Sequence, residues 1–391
     1  MRSRVPPLAI IFAIVFIDLV GFGIVIPVLP LYATRFGASA LVVGFLLASY
    51  SAMQALCAPI LGRWSDRVGR RPVLLASVAG TSVGFLITGL APTLAWLFVG
   101  RIVDGATGGN VSTALAYIAD ISKPQERSRR MGLIGAAFGL GFIVGPALGG
   151  IASRISPAAP FFLASALAAA NACAIAAWLP ESLSPEHRGR HTQHRSALAL
   201  LRGPQGAHLR VVVGAYFFMT AAFSLLTATY ALFTQQRFGF DAAHNGYLFA
   251  GIGLIGAVIQ GGLLGPLVKH TGGDRPLAVI GAGVLTAGLF ALPLSRDLAW
   301  LLWATAAIGA GHGLMAAPLN ALASNASEAA AQGRAIGLMQ SAASLARIVG
   351  PILGGWLLHA DALRADAMFG RSPYWAGGAL TLAALAFTLL L

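Results

Sequence analysis

Gly145-Pro146-Ala147-Leu148-Gly149-Gly150 recurs 205 positions later as Gly350-Pro351-Ile352-Leu353-Gly354-Gly355. The match runs backwards without a gap. Arg129, Gly132, Leu133, Ala137, Leu140, Ile143 and Val144 align with Arg334, Gly337, Leu338, Ala342, Leu345, Ile348 and Val349. Gly62 and Pro72 pair with Gly265 and Pro276 at nearly the same offset. Small residues recur in any bundle because glycine lets helices approach closely, but an ungapped match of this length marks an internal repeat. Parallel repeats about an axis along the membrane normal are a transporter architecture, with the substrate bound where the repeats meet.

The chain around the repeat has 391 residues, 57% of them hydrophobic and 10% charged. A soluble globular chain carries roughly 25% charged residues, so the composition excludes a soluble enzyme. Twelve apolar runs are long enough to cross a bilayer as helices: Leu8–Tyr32, Leu41–Leu61, Val73–Ala91, Leu94–Ile118, Met131–Ile151, Pro160–Leu179, Val211–Phe233, His244–Val268, Leu277–Leu294, Leu298–Leu322, Arg334–Leu358 and Pro373–Leu391. None shows the period-two alternation of barrel strands. The predicted fold class is an all-α membrane protein with twelve transmembrane helices in two six-helix pseudo-symmetric halves. The halves are 1–180 and 210–391, joined by a polar linker, 181–209. The first run follows Arg2 and Arg4, has no prompt cleavage site and contains an aspartate, so it reads as a retained span and not a signal peptide.

Of 26 Lys and Arg residues, 18 fall on one side of these spans. Six fall on the other: Arg35, Arg154, Arg237, Arg296, Arg364 and Arg371. The positive-inside rule then places both termini and the linker in the cytoplasm of a cell-membrane protein. The net charge of +13 belongs to these loops, and no nucleic-acid motif accompanies it. Cys57 and Cys173 lie in apolar runs and can build neither a disulfide framework nor a metal site.

The loop after span two reads Gly62-Arg63-Trp64-Ser65-Asp66-Arg67-Val68-Gly69-Arg70-Arg71-Pro72. It resembles the hallmark cytoplasmic loop of the major facilitator superfamily. The resemblance implies a conformational latch carried by Gly62, Asp66, Arg67, Gly69, Arg70 and Arg71. The second-half copy, Gly265 to Pro276, has Lys269 and His270 near the places of Ser65 and Asp66. In span five, Gly139, Gly141, Gly145, Pro146, Gly149 and Gly150 resemble the glycine motif of that superfamily's antiporter branch. The proline is expected to kink the helix. Span one carries Asp18, Gly21, Gly23, Ile24, Pro27 and Pro30, a pattern similar to the first span of twelve-span drug:proton antiporters. Met53-Gln54 through Pro72, Ala116 to Asp120 and Ala159 to Phe162 resemble the tetracycline-efflux group. That group usually has acids within spans three and nine, whereas Thr81 to Phe85 and Gly281 to Leu289 contain none.

Of 13 acids only Asp18 and Asp104 lie well inside spans. A charge at the bilayer centre costs about 2.5–3.5 kcal/mol on insertion scales. A carboxylate kept from water can take up a proton near neutral pH, which is the chemistry of a proton carrier. Asp18 is the first candidate, and a structural carboxylate is the plainer reading. Arg101 and Asp104, three apart, share a helix face and can pair. Arg101 matches the buried span-four arginine that the resemblance implicates in proton transfer. Arg347 in span eleven has no acid in its own half's membrane interior, so it meets Asp18 or Asp104, backbone carbonyls or an anionic ligand. Tyr50, Gln54, Asn110, Tyr230, His312 and Gln340 are weaker candidates for lining a substrate site, each with a packing alternative.

These readings converge on proton-coupled efflux of amphipathic, tetracycline-like drugs by a monomer. Transport of an endogenous metabolite and a non-transporting receptor are the rival readings. No P-loop is present, so the proton and not ATP is the expected coupling partner, with no cofactor or metal. The charge asymmetry fixes a first test. A cysteine placed at Ser196, in the linker, is expected to resist an impermeant maleimide applied to intact cells, and ready labelling there would reverse the orientation.

Overall fold

The computed structural model describes residues 6–122, 124–184, 186, 197–202, 206–326, 332–364 and 369–391. Arg2, Arg4, Lys123 and, within the linker expected at 181–209, residues 185, 187–196 and 203–205, Ser196 included, lie outside the described residues. Hydrocarbon offers the backbone no hydrogen bonds, so each apolar run closes its own ladder as a helix. The α-helices are α1 (Pro7–Thr34), α2 (Ala40–Val68), α3 (Arg70–Gly89), α4 (Leu94–Thr107), α5 (Asn110–Asp120), α6 (Pro124–Ser153) and α7 (Ala159–Trp178). They continue as α8 (Gly206–Phe238), α9 (Ala242–Val258), α10 (Leu264–Thr271), α11 (Asp274–Ala291), α12 (Leu298–Asn325), α13 (Gln332–Arg364) and α14 (Arg371–Leu389). Among the described residues there is no strand.

Among the described residues, ten helical segments are long and apolar enough to cross a membrane. The other two expected spans account for the difference from twelve. The fourth, expected as one helix over Leu94–Ile118, is two helices: α4 stops at Thr107 and α5 starts at Asn110. Gly108 and Gly109 between them have non-helical torsions, and Thr107 Oγ1 turns back to the carbonyls of Val103 and Asp104. The twelfth, α14, is a 19-residue helix that opens on Arg371 and Ser372. Span eight is continuous through one π-helical turn at Ile259–Leu263, which joins α9 to α10.

The chain forms two compact units. The first holds residues up to Gly37, Ser49–Thr192 and Asp241–Ala250, and the second Ala38–Ala48, Gln193–Phe240 and Gly251–Leu391. The unit boundaries run through α2 and α9 as well as through the linker, where the sequence repeat also divides the chain.

In the first unit α1 packs along α6 and α7, over a core that includes Ile11, Ile14, Val78, Tyr117 and Ile175. Cross-helix hydrogen bonds stitch it together: Asn171 Nδ2 donates to Ile14 O at 2.9 Å and Ser165 Oγ to Ser82 O at 2.9 Å. In the second unit α8 packs along α13 and α14, and α11 along α12. There Tyr230 and Thr305 hydroxyls lie 2.5 Å apart, and Thr286 donates to Thr381 at 2.8 Å. The span-five glycine motif sets the α1–α6 spacing. A Cβ on Gly145 would lie 2.7 Å from Gly23 Cα, where no side chain fits.

Inserting atoms into such a seam typically costs about 1–3 kcal/mol. Gly145→Val is expected to lower the detergent melting temperature clearly. Gly135→Ala, on the same helix with nothing within 4 Å of its Cβ, is expected to leave it unchanged or raise it slightly. Equal effects of the two would mean that the seam does not depend on the glycine.

Candidate functional site

The polar interior of the first unit gathers at the break in span four. Gly108 ends α4 with a carbonyl that the helix no longer uses, and Gln54 Nε2 of α2 donates to it at 3.0 Å. The same Nε2 lies 3.0 Å from Tyr50 Oη, one turn earlier on α2. The Tyr50 ring lies under the guanidinium of Arg101, 4.3 Å from centroid to Cζ, and beside Phe22 of α1. Arg101 Nη1 donates to Asp104 Oδ2 at 2.7 Å, and both residues are only 3% exposed. Thr81 of α3 also hydrogen-bonds Asp104.

On the far side of the break, Asn110 opens α5 and donates through Nδ2 to Asp18 Oδ1 of α1 at 2.7 Å. Asp18 is half-buried and close enough to Asp104 for the two carboxylates to repel. Two atoms of this network have no hydrogen-bond partner among the described residues: Arg101 Nε and Asn110 Oδ1. The arrangement therefore treats its two acids differently. Asp104 faces a guanidinium. Asp18 faces a carboxamide, which can donate to a carboxylate or accept from a carboxylic acid.

A second cluster lies at the α2–α3 turn. Gly69 has φ +117°, a conformation that favours glycine. The turn brings Arg70 against Asp66 at 2.5 Å and Asp120 at 3.0 Å. Glu181 accepts from the backbone N–H groups of Arg70 and Arg71, at 2.9 and 3.2 Å. Its carboxylate thus closes the positive N-terminus of α3. Arg71 in turn donates to Ala176 O at the end of α7. Arg70 Nη1 also donates to Ser65 Oγ at 2.7 Å and Ser65 Oγ donates to Gly62 O at 2.8 Å, so Gly62 joins the network through its carbonyl, whereas Arg67 is exposed. Glu181 is the first residue of the expected linker, 181–209. The available signal was an acid just after span six, on the side that carries Arg70 and Arg71.

Part of this device is repeated. Gly273 has φ +141°, and Arg275 donates to Leu389 O near the end of α14 at 2.7 Å. The two lie 204 positions after Gly69 and Arg71. Arg70 has no such counterpart, because Asp274 stands in its place.

The span-five motif contributes surfaces rather than polar groups. Gly141, Gly145 and Pro146 face α1, and Gly149 abuts Ile24. Gly150 abuts Ala243 and Gly246 at the start of α9. In the second unit, Tyr230 is fully buried and bonded to Thr305, so it is a core residue and lines no open surface. His312 stacks on Phe223 at 4.1 Å. Arg347 donates to Ser344 Oγ at 3.3 Å and lies near Tyr216. Gln340 is exposed. The structure therefore gathers Asp18, Tyr50, Gln54, Arg101, Asp104 and Asn110 into one network. Arg347 and His312 lie in the second unit.

Repeated membrane helices, a broken span and charges held in the membrane interior define a multi-pass transport protein. Residues 11–331 and 263–391 match the Major Facilitator Superfamily, and the chain belongs to it. The class D tetracycline resistance protein of Salmonella ordonez is 33% identical over 368 residues, which cover 92% of this chain and 91% of its own. Multidrug resistance protein 2 of Bacillus subtilis (strain 168) is 31% identical over 349 residues, covering 88% and 86%. Among solved structures, the human organic anion transporter MFSD10 (TETRAN) is similar with a TM-score of 0.73 at 27% identity, covering 98% of this chain and 100% of its own.

The Glu181 contact carries its own test. Loss of a helix N-terminal acceptor typically costs about 1 kcal/mol. Glu181→Ala is expected to lower thermal stability in detergent, and Glu181→Gln, which keeps an acceptor oxygen, to recover most of it. Equal losses in both variants would assign the effect to charge and not to capping.

Proposed function

We propose that this transporter exports amphipathic drugs, tetracycline-like or broader, across the cytoplasmic membrane in exchange for protons, by alternating access. The tetracycline and multidrug resistance relatives support the cargo class. The observation that carries the coupling is the pairing of Asp18 with Asn110 instead of a cation. An acid that must load and release a proton in each cycle needs a partner for both of its forms. Asn110 supplies one through Nδ2 and the other through Oδ1. Asp104 stays with Arg101 and serves as the fixed charge beside the carrier.

In this cycle a proton from outside neutralises Asp18 and favours drug release. Loss of that proton to the cytoplasm restores the anion, and the next drug binds. Asp66, Arg70 and Asp120 act as a latch that favours one face of the cycle. Their contacts tie the end of α2 to the start of α3 and the end of α5. The protein acts as a monomer without ATP or other cofactor, with both termini in the cytoplasm.

Everted membrane vesicles test the scheme. Asp18→Asn is expected to abolish uphill drug uptake and drug-induced proton release while drug binding persists, because an amide hydrogen-bonds but does not exchange a proton at neutral pH. Uphill transport with proton release in that variant would place the carrier elsewhere.

A further inference from the structure

The second unit carries a run of polar and aromatic groups along the antiparallel seam of α8 and α12. At one end Tyr230 and Thr305 close it, both buried and 2.5 Å apart. Midway, the Phe223 ring and the His312 imidazole stack at 4.1 Å with 25° between their planes. At the other end the Tyr216 hydroxyl hydrogen-bonds Asn320, and Arg347 of α13 brings its guanidinium beside the same phenol. Arg347 Nη2 lies 3.3 Å from Ser344 Oγ. Tyr216, Phe223, His312, Asn320 and Arg347 are all half-buried, so the seam stays accessible beyond its closed end.

From these groups we infer that the Tyr216–Asn320–Arg347 end of this seam binds an organic anion, an aromatic carboxylate or enolate whose ring system lies toward Phe223 and His312. A guanidinium offers a planar fork that fits a carboxylate. Asn320 Nδ2 donates to Ala316 O at 2.9 Å, so the bonded Tyr216–Asn320 pair leaves one further donor beside the guanidinium. From Tyr216 to Phe223 is seven residues, about 10 Å along a helix, which suits a fused-ring acid held at its charged end. A cationic amphipath would meet like charge there. The inference rests on this convergence of donors, whatever else Arg347 touches. It also rests on the transport reading above, because it names the class of cargo that such a transporter would take.

Calorimetric titration of the full chain in lipid nanodiscs tests it with three probes: 2-naphthoate, its neutral methyl ester and the cationic 2-(aminomethyl)naphthalene. The wild type is expected to bind the carboxylate at least about tenfold more tightly than the ester, and the amine most weakly. Arg347→Gln is expected to bring carboxylate and ester to within roughly twofold of each other, and Arg347→Lys to keep part of the difference. Should Arg347→Gln not fold, Tyr216→Phe is expected to narrow the same ratio. Equal affinities in the wild type, or an undiminished ratio in the folded variants, would overturn the inference. An intact ratio in a protein that moves no protons would remove the coupling scheme and leave this site standing. Proton-coupled export without any anion preference would do the reverse.

Discussion

Hydrocarbon has no hydrogen bonds to offer, and that constraint organises the interior of the first unit. Once Gly108 and Gly109 interrupt span four, the freed carbonyl needs a donor from another helix, and Gln54 supplies it. Gln54 is positioned beside Tyr50, Tyr50 lies under Arg101, and Arg101 is paired with Asp104. On the other side of the break the first residue of α5 reaches Asp18. Each member satisfies a group whose exposure in a membrane would be costly, so the residues act as one network rather than as separate contacts. The break that makes the network necessary also delivers Asn110 to Asp18.

The same logic holds at the α2–α3 turn, where one arginine answers two carboxylates and a third carboxylate closes a helix end. Here the internal repeat is instructive. Backbone features survive in both halves: the positive-φ glycines at 69 and 273, and the arginines at 71 and 275 that reach the ends of α7 and α14. Among the described residues the charge cluster around Arg70 has no copy in the other half, where Asp274 stands at the corresponding position. Duplication preserved what each half needs to fold, and specialisation is concentrated in the side chains.

How far the sequence could be read follows from the range of each interaction. The helical spans were legible because their signal is local, a run of apolar residues between polar turns. The repeat was legible because a fixed offset is visible without any structure. The break in span four was not, although Gly105, Gly108 and Gly109 were in plain view. Glycines are tolerated within continuous membrane helices, and only the distant Gln54 makes an interruption affordable. Asp18, Arg101 and Asp104 stood out as charges in apolar runs. The bond from Asp18 to Asn110 spans 92 positions and had no local trace. Tyr230 shows a further limit. In a helix that is apolar all round, no periodicity separates an inward residue from a lining one, so a core tyrosine and a binding tyrosine look alike. The compact units cut through α2 and α9 for a related reason, since a repeat follows chain order and compactness follows contact.

The central claim is that Asp18 changes protonation when cargo binds, with Asn110 serving both of its forms. Infrared difference spectroscopy of the purified protein, recorded before and after tetracycline addition, reports this directly through the carbonyl stretch of a protonated carboxyl group. The account predicts a protonated-carboxyl band in the wild type that disappears on tetracycline binding, shifts in frequency in Asn110→Ala, and is missing in Asp18→Asn. The same band persisting through Asp18→Asn would contradict it.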